Sequence, residues 1–597
     1  MPQELDLLMG SISDLQAAYR ARKITPNEIV NAIIERSAKY ADNNIWIEPP
    51  ANWFLNAYLE TLDIDEIDSK PLWGIPFAIK DNINLEGVNT TAACPAFTYK
   101  PLNSAFIVSS LIEAGAIPVG KTNLDQFATG LVGTRSPYGV CTHPLRPSHI
   151  SGGSSSGSAV AVSLGLATFA LGTDTAGSGR IPAALNGLYG LKPSKGLISN
   201  QGIVPACKTL DCVSLFARSI DDLNILAEVS MRHDRKDPFS IVNSYPNSPK
   251  HAGHWTGPLT LGVIRSDDLD LSSEYSSAYE KTIEKIASEG DIKFEEIDYG
   301  PFARAAKELY EGPWVNERYL VLKSLLEQSP SEIYDITREV IQTGASYSAS
   351  ELFESIYKLS ELRDACLQEL AKCNALLTPT AKAHYLVSDL ESDPFGPNTE
   401  LGTYTNYMNL LDLCGLAIPG IPTGSALPFG ITLVGDRLHD TQLLSIGARL
   451  DSVINERDPT TKTPYVDMQT VDIAVCGAHM EGLPLNWQLT QRGGTFKERT
   501  LTAPCYKFYA LEGGPPFRPG MVRNDEEGSA IEVEVWQLPS ETLSSFMQGI
   551  PWPLAIGKVS LSNGSDVSGF VCEPSGVSGA TDITHHGGWR TYLQSLN

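Results

Sequence analysis

The chain of 597 residues is too long for one ordinary hydrophobic core, so the sequence predicts at least two domains. Hydrophobic residues make up 42% of it and charged residues 19%, which is typical of a globular protein and excludes a disordered one. The 45 basic and 70 acidic residues give a net charge of -25, which argues against nucleic acid or an anionic membrane as a partner. A small anionic substrate would therefore have to be bound by a few local cations.

The N-terminus has neither the basic nor the apolar region of a secretory signal, and the ten cysteines are scattered without metal-ligand spacing. The longest stretch of small apolar residues, 158–172, is shorter than the roughly 20 residues that a membrane span requires, so we interpret it as a buried helix. We therefore expect a cytoplasmic protein with reduced thiols, no metal site, no cofactor and no membrane partner.

Helices and strands are predicted to alternate from the N-terminus. A capping box at residues 25–28, with proline at the first helical position, predicts the start of a helix. Residues 72–79 are predicted to form a strand that delivers Lys80 to a loop, and a helix at 105–114 and a strand at 117–119 follow. This alternation predicts an α/β domain with a largely internal sheet.

The pattern continues past the middle of the chain and then ends in a linker. A helix-rich insert is predicted at residues 273–372, strands return at 375–380 and 430–435, and a final helix is predicted at 441–453. The polar, proline-containing stretch 456–470 is predicted to be a linker between domains.

Residues 1–455 and residues 471–597 are therefore expected to be separate domains. The second part has short β-runs, tight glycine turns and few long helices. This composition predicts a small α+β or barrel-like domain.

Two glycine-serine clusters flank an apolar helix in residues 150–194, and each addresses a chemical need. Residues 152–157 give a backbone that is free to adopt unusual dihedral angles while it presents hydroxyl groups. Residues 173–178 predict a tight turn whose successive amides converge on one point. That convergence is what an oxyanion hole requires, and the loss of one such donor typically costs about 100- to 1000-fold in rate.

A serine nucleophile needs a base, and this segment contains no histidine placed for that role. The candidate base is Lys80, which follows the predicted strand. A lysine can act as a base only where burial and neighbouring groups keep its amine neutral. It would reach the nucleophile either directly or through an intermediate hydroxyl.

Residues 72–194 resemble the amidase signature family, and residues 1–455 are consistent with its fold, a mixed central sheet covered by helices. The resemblance implies a triad in which Lys80 takes a proton from Ser154, and Ser154 takes one from the nucleophile Ser178. It also implies that the peptide bond before Ser154 is cis. The expected oxyanion donors are the amides of Thr175, Ala176 and Gly177. The residues expected to support these loops by hydrogen bonds are Ser155, Asp174 and Arg180.

The motif at residues 123–139 and the amino-acid sequence of residues 176–180 resemble those of the allophanate hydrolase branch of this family. In that branch Tyr310 and Arg318 match the pair that binds the carboxylate of the substrate, and Gly130 is expected to line the acyl pocket. The two residues are eight positions apart, about two helical turns, so both side chains would face the same cleft. Without the resemblance, Arg318 would be interpreted as a solvated helix charge.

Residues 471–597 resemble the second domain of allophanate hydrolases, which is similar to the gamma-glutamyl cyclotransferase fold. Residues 544–551 lack the carboxylate that cyclotransferases use, so cyclotransferase chemistry is not expected. His479 matches the residue implied in decarboxylation of N-carboxycarbamate, although a single loop histidine is more often structural. Arg518 and Arg523 are either ligands for a dianion or ordinary surface arginines.

The resemblance implies a homodimeric enzyme that cleaves allophanate (urea-1-carboxylate), a small carboxylated amide, to ammonia and carbon dioxide. Three alternatives stay open at this point. The chain is another small-amide amidase with a malonamide-like substrate, a component of a tRNA-dependent amidotransferase, or a non-catalytic carboxylate-binding protein.

Overall fold

The computed structural model describes the chain in three stretches, residues 7–244, 246–456 and 470–596. The chain divides into two compact units, namely Met1–Asn243 with Pro249–Tyr465, and Ser244–Ser248 with Val466–Asn597. The division falls within the predicted linker, of which residues 457–469 lie outside the described residues. Within the described stretches, each helix is too short or too polar to cross a bilayer.

The described strands of the first unit form one mixed sheet, in the order β1-β3-β2-β4-β6-β5-β10-β11-β9-β7-β8. The strands are β1 (Trp46–Glu48), β2 (Pro76–Lys80), β3 (Ile117–Thr122), β4 (Phe169–Asp174), β5 (Tyr189–Lys192), β6 (Cys212–Ala217), β7 (Leu259–Ile264), β8 (Ile292–Ile297), β9 (Ala375–Pro379), β10 (Cys414–Pro419) and β11 (Gly430–Gly435).

Helices pack around this sheet, as the sequence predicts for an α/β fold. The α-helices are α1 (Ile12–Arg20), α2 (Pro26–Lys39), α3 (Asn52–Leu59), α4 (Phe106–Glu113), α5 (Ser156–Ser163), α6 (Ile181–Leu185), α7 (Ile220–Ser230), α8 (Ser273–Ala287), α9 (Gly300–Glu311), α10 (Val315–Gln328), α11 (Asp335–Gln342), α12 (Ala349–Leu370), α13 (Val387–Ser392), α14 (Gly396–Leu401), α15 (Tyr407–Leu410) and α16 (Asp440–Ile454). The capping box predicted for α2 is formed by Thr25 and Glu28.

The centre of the sheet brings the two glycine-serine clusters and the candidate base to one edge. Strands β2 and β4 run parallel, with Phe77 opposite Phe169 and Ile79 opposite Leu171. The two phenylalanine rings stack with their centroids 5.2 Å apart. Because the carboxyl ends of parallel strands meet at the same edge, Lys80 at the end of β2 lies beside the end of β4.

One predicted helical region is wrong in part. The predicted helix at residues 158–172 ends at Ser163, and residues 169–172 belong to strand β4, which pairs with β2 and β6. Nearly continuous apolar residues do not distinguish a buried helix from a buried strand, which is why the pattern misleads here. The insert predicted to be rich in helices, residues 273–372, contains α8 to α12 and, between α8 and α9, strand β8, which pairs in parallel with β7.

The second unit is a small α+β structure, as predicted. One of its sheets has the order β13-β16-β12-β18-β17 and the other has the order β15-β14-β19. Its elements are β12 (Thr470–Val475), α17 (Trp487–Thr490), β13 (Thr495–Leu501), β14 (Tyr506–Ala510), β15 (Pro519–Arg523), β16 (Glu532–Pro539), α18 (Ser540–Gln548), β17 (Leu554–Ser560), β18 (Asp566–Cys572), β19 (Thr581–Asp582) and α19 (Trp589–Ser595). It has its own buried apolar core, which includes Val475, Val535 and Trp536.

Candidate active site

The Lys80 amine is surrounded by hydroxyl groups at the end of β2. Its Nζ lies 2.8 Å from Ser154 Oγ, 3.0 Å from Ser155 Oγ and 2.8 Å from Thr173 Oγ1. All of these side chains are buried. The contact between the predicted base and the predicted intermediate serine is therefore direct.

Burial is the main reason that the Lys80 amine gives up its proton easily. It lowers the pKa of Lys80 from its usual 10.5 to about 7, against the opposing charges of Asp125, Asp211 and Asp174. Arg318 adds to the lowering. An amine with this pKa is in its neutral, basic form in about half of the molecules at pH 7.

The peptide bond between Gly153 and Ser154 is cis, as predicted. A second loop holds this segment in place: the Gly153 amide donates to Leu131 O at 2.8 Å, and Ser154 O accepts from the Asp125 amide at 3.1 Å. The Asp125 carboxylate in turn accepts from the amides of Val132, Gly133 and Arg135 at 2.9 to 3.1 Å. Asp125 therefore anchors the loop that fixes Ser154.

Ser178 lies in the turn between β4 and α6 and is only 3% exposed. Arg180 binds the buried carboxylate of Asp174 through Nε and Nη2, each at 2.9 Å. Burial alone would raise the pKa of Asp174, but Arg180 and nearby donors hold it below its usual value. This two-pronged pair supports the turn, which is the role predicted for both residues.

The structure contradicts one predicted oxyanion donor. The Gly177 amide donates to Asp174 Oδ1 at 2.9 Å, so it is not free to bind a substrate oxygen. The amides of Thr175 and Ala176 donate to no acceptor in the described part of the chain. These two remain candidates for the oxyanion hole.

The predicted carboxylate-binding pair is in contact, although not for the reason given by the spacing. Tyr310 lies on α9 and Arg318 on α10, so the two residues belong to different helices. The Arg318 guanidinium lies 5.6 Å from the centre of the Tyr310 ring, and its Nη2 is 3.5 Å from the hydroxyl oxygen. Arg318 is 3% exposed, which excludes the alternative of a solvated helix charge.

Arg318 also ties the pair to the loop that carries Gly130. Its Nη1 donates to Ala128 O at 3.2 Å and to Thr129 Oγ1 at 3.0 Å. A Cβ at Gly130 would lie 2.7 Å from Asp125 Oδ2, so only glycine fits there. The structure thus places Gly130 between the Arg318 contact and the Asp125 anchor.

Sequence reasoning missed the residues that hold the site together. Asp125 stands inside the 123–139 motif, and Thr173 begins the second glycine-serine cluster, but the motifs alone assign no role to either. The one feature of the sequence that could have pointed to Asp125 and Thr173 is that they lie within these motifs. Their roles follow only from the side-chain contacts to the loop amides and to Lys80.

His479 lines a cavity of about 300 Å³ in the second unit. Its Nε2 lies 2.9 Å from Gln488 Oε1, and its ring stacks on Phe570 with the centroids 4.9 Å apart. Burial lowers the pKa of His479 against the hydrogen bond to Gln488, and the charges of Arg518 and Arg492 lower it further. The neutral form of the imidazole is therefore favoured by this environment.

The two arginines considered for a dianion differ in position. Arg518 lines the same cavity, and its buried Nε has no hydrogen-bond partner in the described part of the chain. Arg523 is exposed and pairs with Asp525 at 3.0 Å, so it is an ordinary surface arginine. The cavity thus combines a neutral imidazole with one cation whose Nε is unpaired.

The loop packing makes a prediction for Gly153. A Cβ on Gly153 would lie 2.1 Å from Asp125 Oδ2, so Gly153→Ala should destabilise the protein by about 1–3 kcal/mol. Thermal unfolding should show a lower midpoint. Gly424→Ala is the matched control, because a Cβ there meets no atom within 4 Å. Equal midpoints for both variants would contradict the packing described for this loop.

Comparison with known proteins shows which families the chain is similar to. The amidase family model matches residues 28–444, and a model described as the allophanate hydrolase C-terminal domain matches residues 471–594. Urea amidolyase from Saccharomyces cerevisiae is 39% identical over 89% of this chain, which spans only 30% of that longer protein. A glutamyl-tRNA(Gln) amidotransferase component from Lawsonia intracellularis is 32% identical over 75% of this chain and 97% of its own length.

A solved structure of Kluyveromyces lactis allophanate hydrolase is similar along almost the whole length. It is 35% identical, covers 98% of this chain and 99% of its own, and superposes with a TM-score of 0.71. Since the family model also covers more than half of the sequence, the chain belongs to the amidase family and to its allophanate hydrolase branch.

Proposed function

We propose that the first domain hydrolyses the terminal amide of allophanate by a serine relay. The observation that carries this proposal is the buried Lys80 amine in contact with Ser154. Lys80 takes the Ser154 proton, Ser154 takes the proton of Ser178, and Ser178 Oγ attacks the terminal carbonyl carbon. The amides of Thr175 and Ala176 are the proposed oxyanion donors.

The rest of the reaction follows from the same proton path. Ser154 returns its proton to the leaving nitrogen, ammonia departs, and the acyl group stays on Ser178. Water then attacks the acyl-enzyme and releases N-carboxycarbamate. One water is consumed for each ammonia released, Ser178 Oγ regains its proton as the acyl bond breaks, and the proton lost by the new carboxylate of N-carboxycarbamate is taken up by ammonia to give ammonium.

We propose that Arg318 and Tyr310 select the substrate by its carboxylate. A buried guanidinium beside a phenol is suited to bind a small carboxylate in an otherwise acidic protein. The similarity to allophanate hydrolase along 98% of the chain supports this assignment over the amidotransferase alternative, whose relative matches 75%. A general small-amide amidase would not need the buried cation.

The second domain is proposed to decarboxylate the N-carboxycarbamate. The substrate loses carbon dioxide as its nitrogen gains a proton, which leaves carbamate, and carbamate then decomposes to ammonia and a second carbon dioxide. Arg518 is proposed to bind one carboxylate and His479 to supply the proton. Binding of a dianion would raise the pKa of the imidazole and so favour its protonated form.

The family resemblance supports further proposals about organisation. We assign residues 1–455 to the hydrolase domain, 456–470 to the linker and 471–597 to the second domain. The enzyme is proposed to be a cytoplasmic homodimer, and sedimentation velocity of the full chain would test the dimer.

The proposed substrate is tested by ammonia release from allophanate, malonamate and glutamine. Allophanate should be strongly preferred, and Ser178→Ala should abolish its turnover because the acyl-enzyme cannot form. Preference for glutamine would favour the amidotransferase alternative. Preference for malonamate would favour a different small-amide amidase.

The proposed base gives a pH dependence. Lys80 must be neutral to accept a proton, so kcat/KM should fall tenfold for each pH unit below an apparent pKa of about 7 and level off above it. Lys80→Met should reduce kcat by at least about 1000-fold. Lys372→Met, which breaks a surface ion pair with Glu369, is the control and should retain activity. An unshifted profile in Lys80→Met would contradict the assignment.

The carboxylate contact predicts a selective loss of affinity. Arg318→Ala should raise KM for allophanate about 100-fold, because a charge-assisted contact of about 2–5 kcal/mol is lost. KM for an uncharged amide such as malonamide should change much less. Arg338→Ala, on the neighbouring helix α11, serves as the control, since Arg338 pairs with Asp335 instead. Equal effects on both substrates would remove the specificity argument.

The role proposed for the second domain predicts that substitutions there affect the release of carbon dioxide but not the first release of ammonia. His479→Ala and Arg518→Ala should leave the first release of ammonia unchanged and slow the release of carbon dioxide. Arg523→Ala is the matched control, because that arginine lies outside the cavity. If the His479 variant releases carbon dioxide at the wild-type rate, the role of this histidine is wrong.

A further inference from the structure

Asp211 is a buried carboxylate that the proposed relay does not use, yet it lies against the nucleophile turn. Thr175 Oγ1 donates to Asp211 Oδ1 at 2.5 Å, and both side chains are buried. Thr175 is the first residue after β4, and its amide is one of the two proposed oxyanion donors. Asp211 is therefore linked by one hydrogen bond to the residue whose backbone amide would polarise the substrate carbonyl.

The position of Asp211 is fixed by its own loop. The amides of Ala206 and Cys207 donate to its two carboxylate oxygens at 2.8 and 3.1 Å. Asn200 Nδ2 donates to its carbonyl oxygen at 2.7 Å. Together with Thr175, these donors leave the carboxylate little freedom to move.

Asp211 is also electrostatically coupled to both ends of the site. Burial raises its pKa, and the hydrogen bond from Thr175 and the charge of Arg318 oppose that rise. The Asp211 charge also opposes the burial that lowers the pKa of Lys80. The other charged groups that act on Lys80 are Asp125, Asp174 and Arg318.

We propose that Asp211 is a positioning residue that holds the oxyanion turn through Thr175. The proposal rests on the proposed function and deepens it. A displacement of about 1 Å at a reacting group can cost about 100-fold in rate, whereas binding of the ground-state substrate through Arg318 does not need the turn. Loss of the bond should therefore lower kcat with little change in KM.

Two substitutions at Thr175 separate the hydroxyl from the shape of the side chain. Thr175→Val keeps the shape and removes the hydroxyl, and it should lower kcat about 10- to 100-fold with KM within about twofold. Thr175→Ser keeps the hydroxyl and should restore kcat to within about threefold of wild type. Ser199→Ala is the control, because it removes buried hydroxyl contacts to Asp234 and Asp237 that do not reach the turn. It should retain wild-type kcat.

The pH profile provides a readout that a purely structural role would not move. Asp211→Asn removes a negative charge that raises the pKa of Lys80, so the acidic limb of kcat/KM should shift to lower pH. A folded Asp211→Asn variant with an unmoved limb, or a folded Thr175→Val variant with wild-type kcat, would overturn the proposal. If Asp211→Asn does not fold, the Thr175 pair decides.

Failure of the proposed substrate is distinguishable from failure of this inference. All variants are compared on the amide that the wild-type protein hydrolyses best. If that amide is not allophanate, the substrate assignment is rejected while the comparison of Thr175→Val with Thr175→Ser still decides the role of Asp211.

Discussion

A buried amine at the end of β2, whose pKa is lowered to about 7, is the constraint on which the rest of this structure depends. Burying an ammonium group without a carboxylate partner is costly, so the amine of Lys80 is surrounded by hydroxyls that can accept or donate. The carboxylates whose charges oppose the lowering of its pKa, Asp125, Asp174 and Asp211, each accept hydrogen bonds from other donors. Their charges reach Lys80 only at a distance, so burial dominates and the pKa stays near 7.

Those carboxylates shape the loops around the amine instead of pairing with it. Asp125 gathers the amides of one loop, which holds the cis bond before Ser154. Asp174 pairs with Arg180 and fixes the turn that carries Ser178. The parallel arrangement of β2 and β4 brings both loops to one edge of the sheet. Hydrogen bonds thus hold both loops of the candidate site, and orientation of the reacting groups is one source of catalytic rate.

The α/β fold class was predictable from the alternation of strands and helices, whereas the cis bond before Ser154 and the contact of that serine with Lys80 were predicted through the family resemblance that the motifs carry. The hydrogen-bond partners within the turn and the contacts between helices were not predictable. The Gly177 amide was expected in the oxyanion hole but donates to Asp174, since a turn motif does not reveal which amides its own carboxylate takes. Arg318 meets its partner across two helices, which the spacing did not indicate. The continuous apolar run before Asp174 was also interpreted as a helix, because such a run does not distinguish a buried helix from a buried strand such as β4.

Labelling of the nucleophile by a fluorophosphonate, followed by peptide mass spectrometry, tests the neutral-lysine relay most directly. The label should be found on Ser178, at a rate that rises with pH through an apparent pKa of about 7 and that is lost when Lys80 is replaced by methionine. Labelling of a different serine, or an undiminished rate without the amine, would contradict the relay.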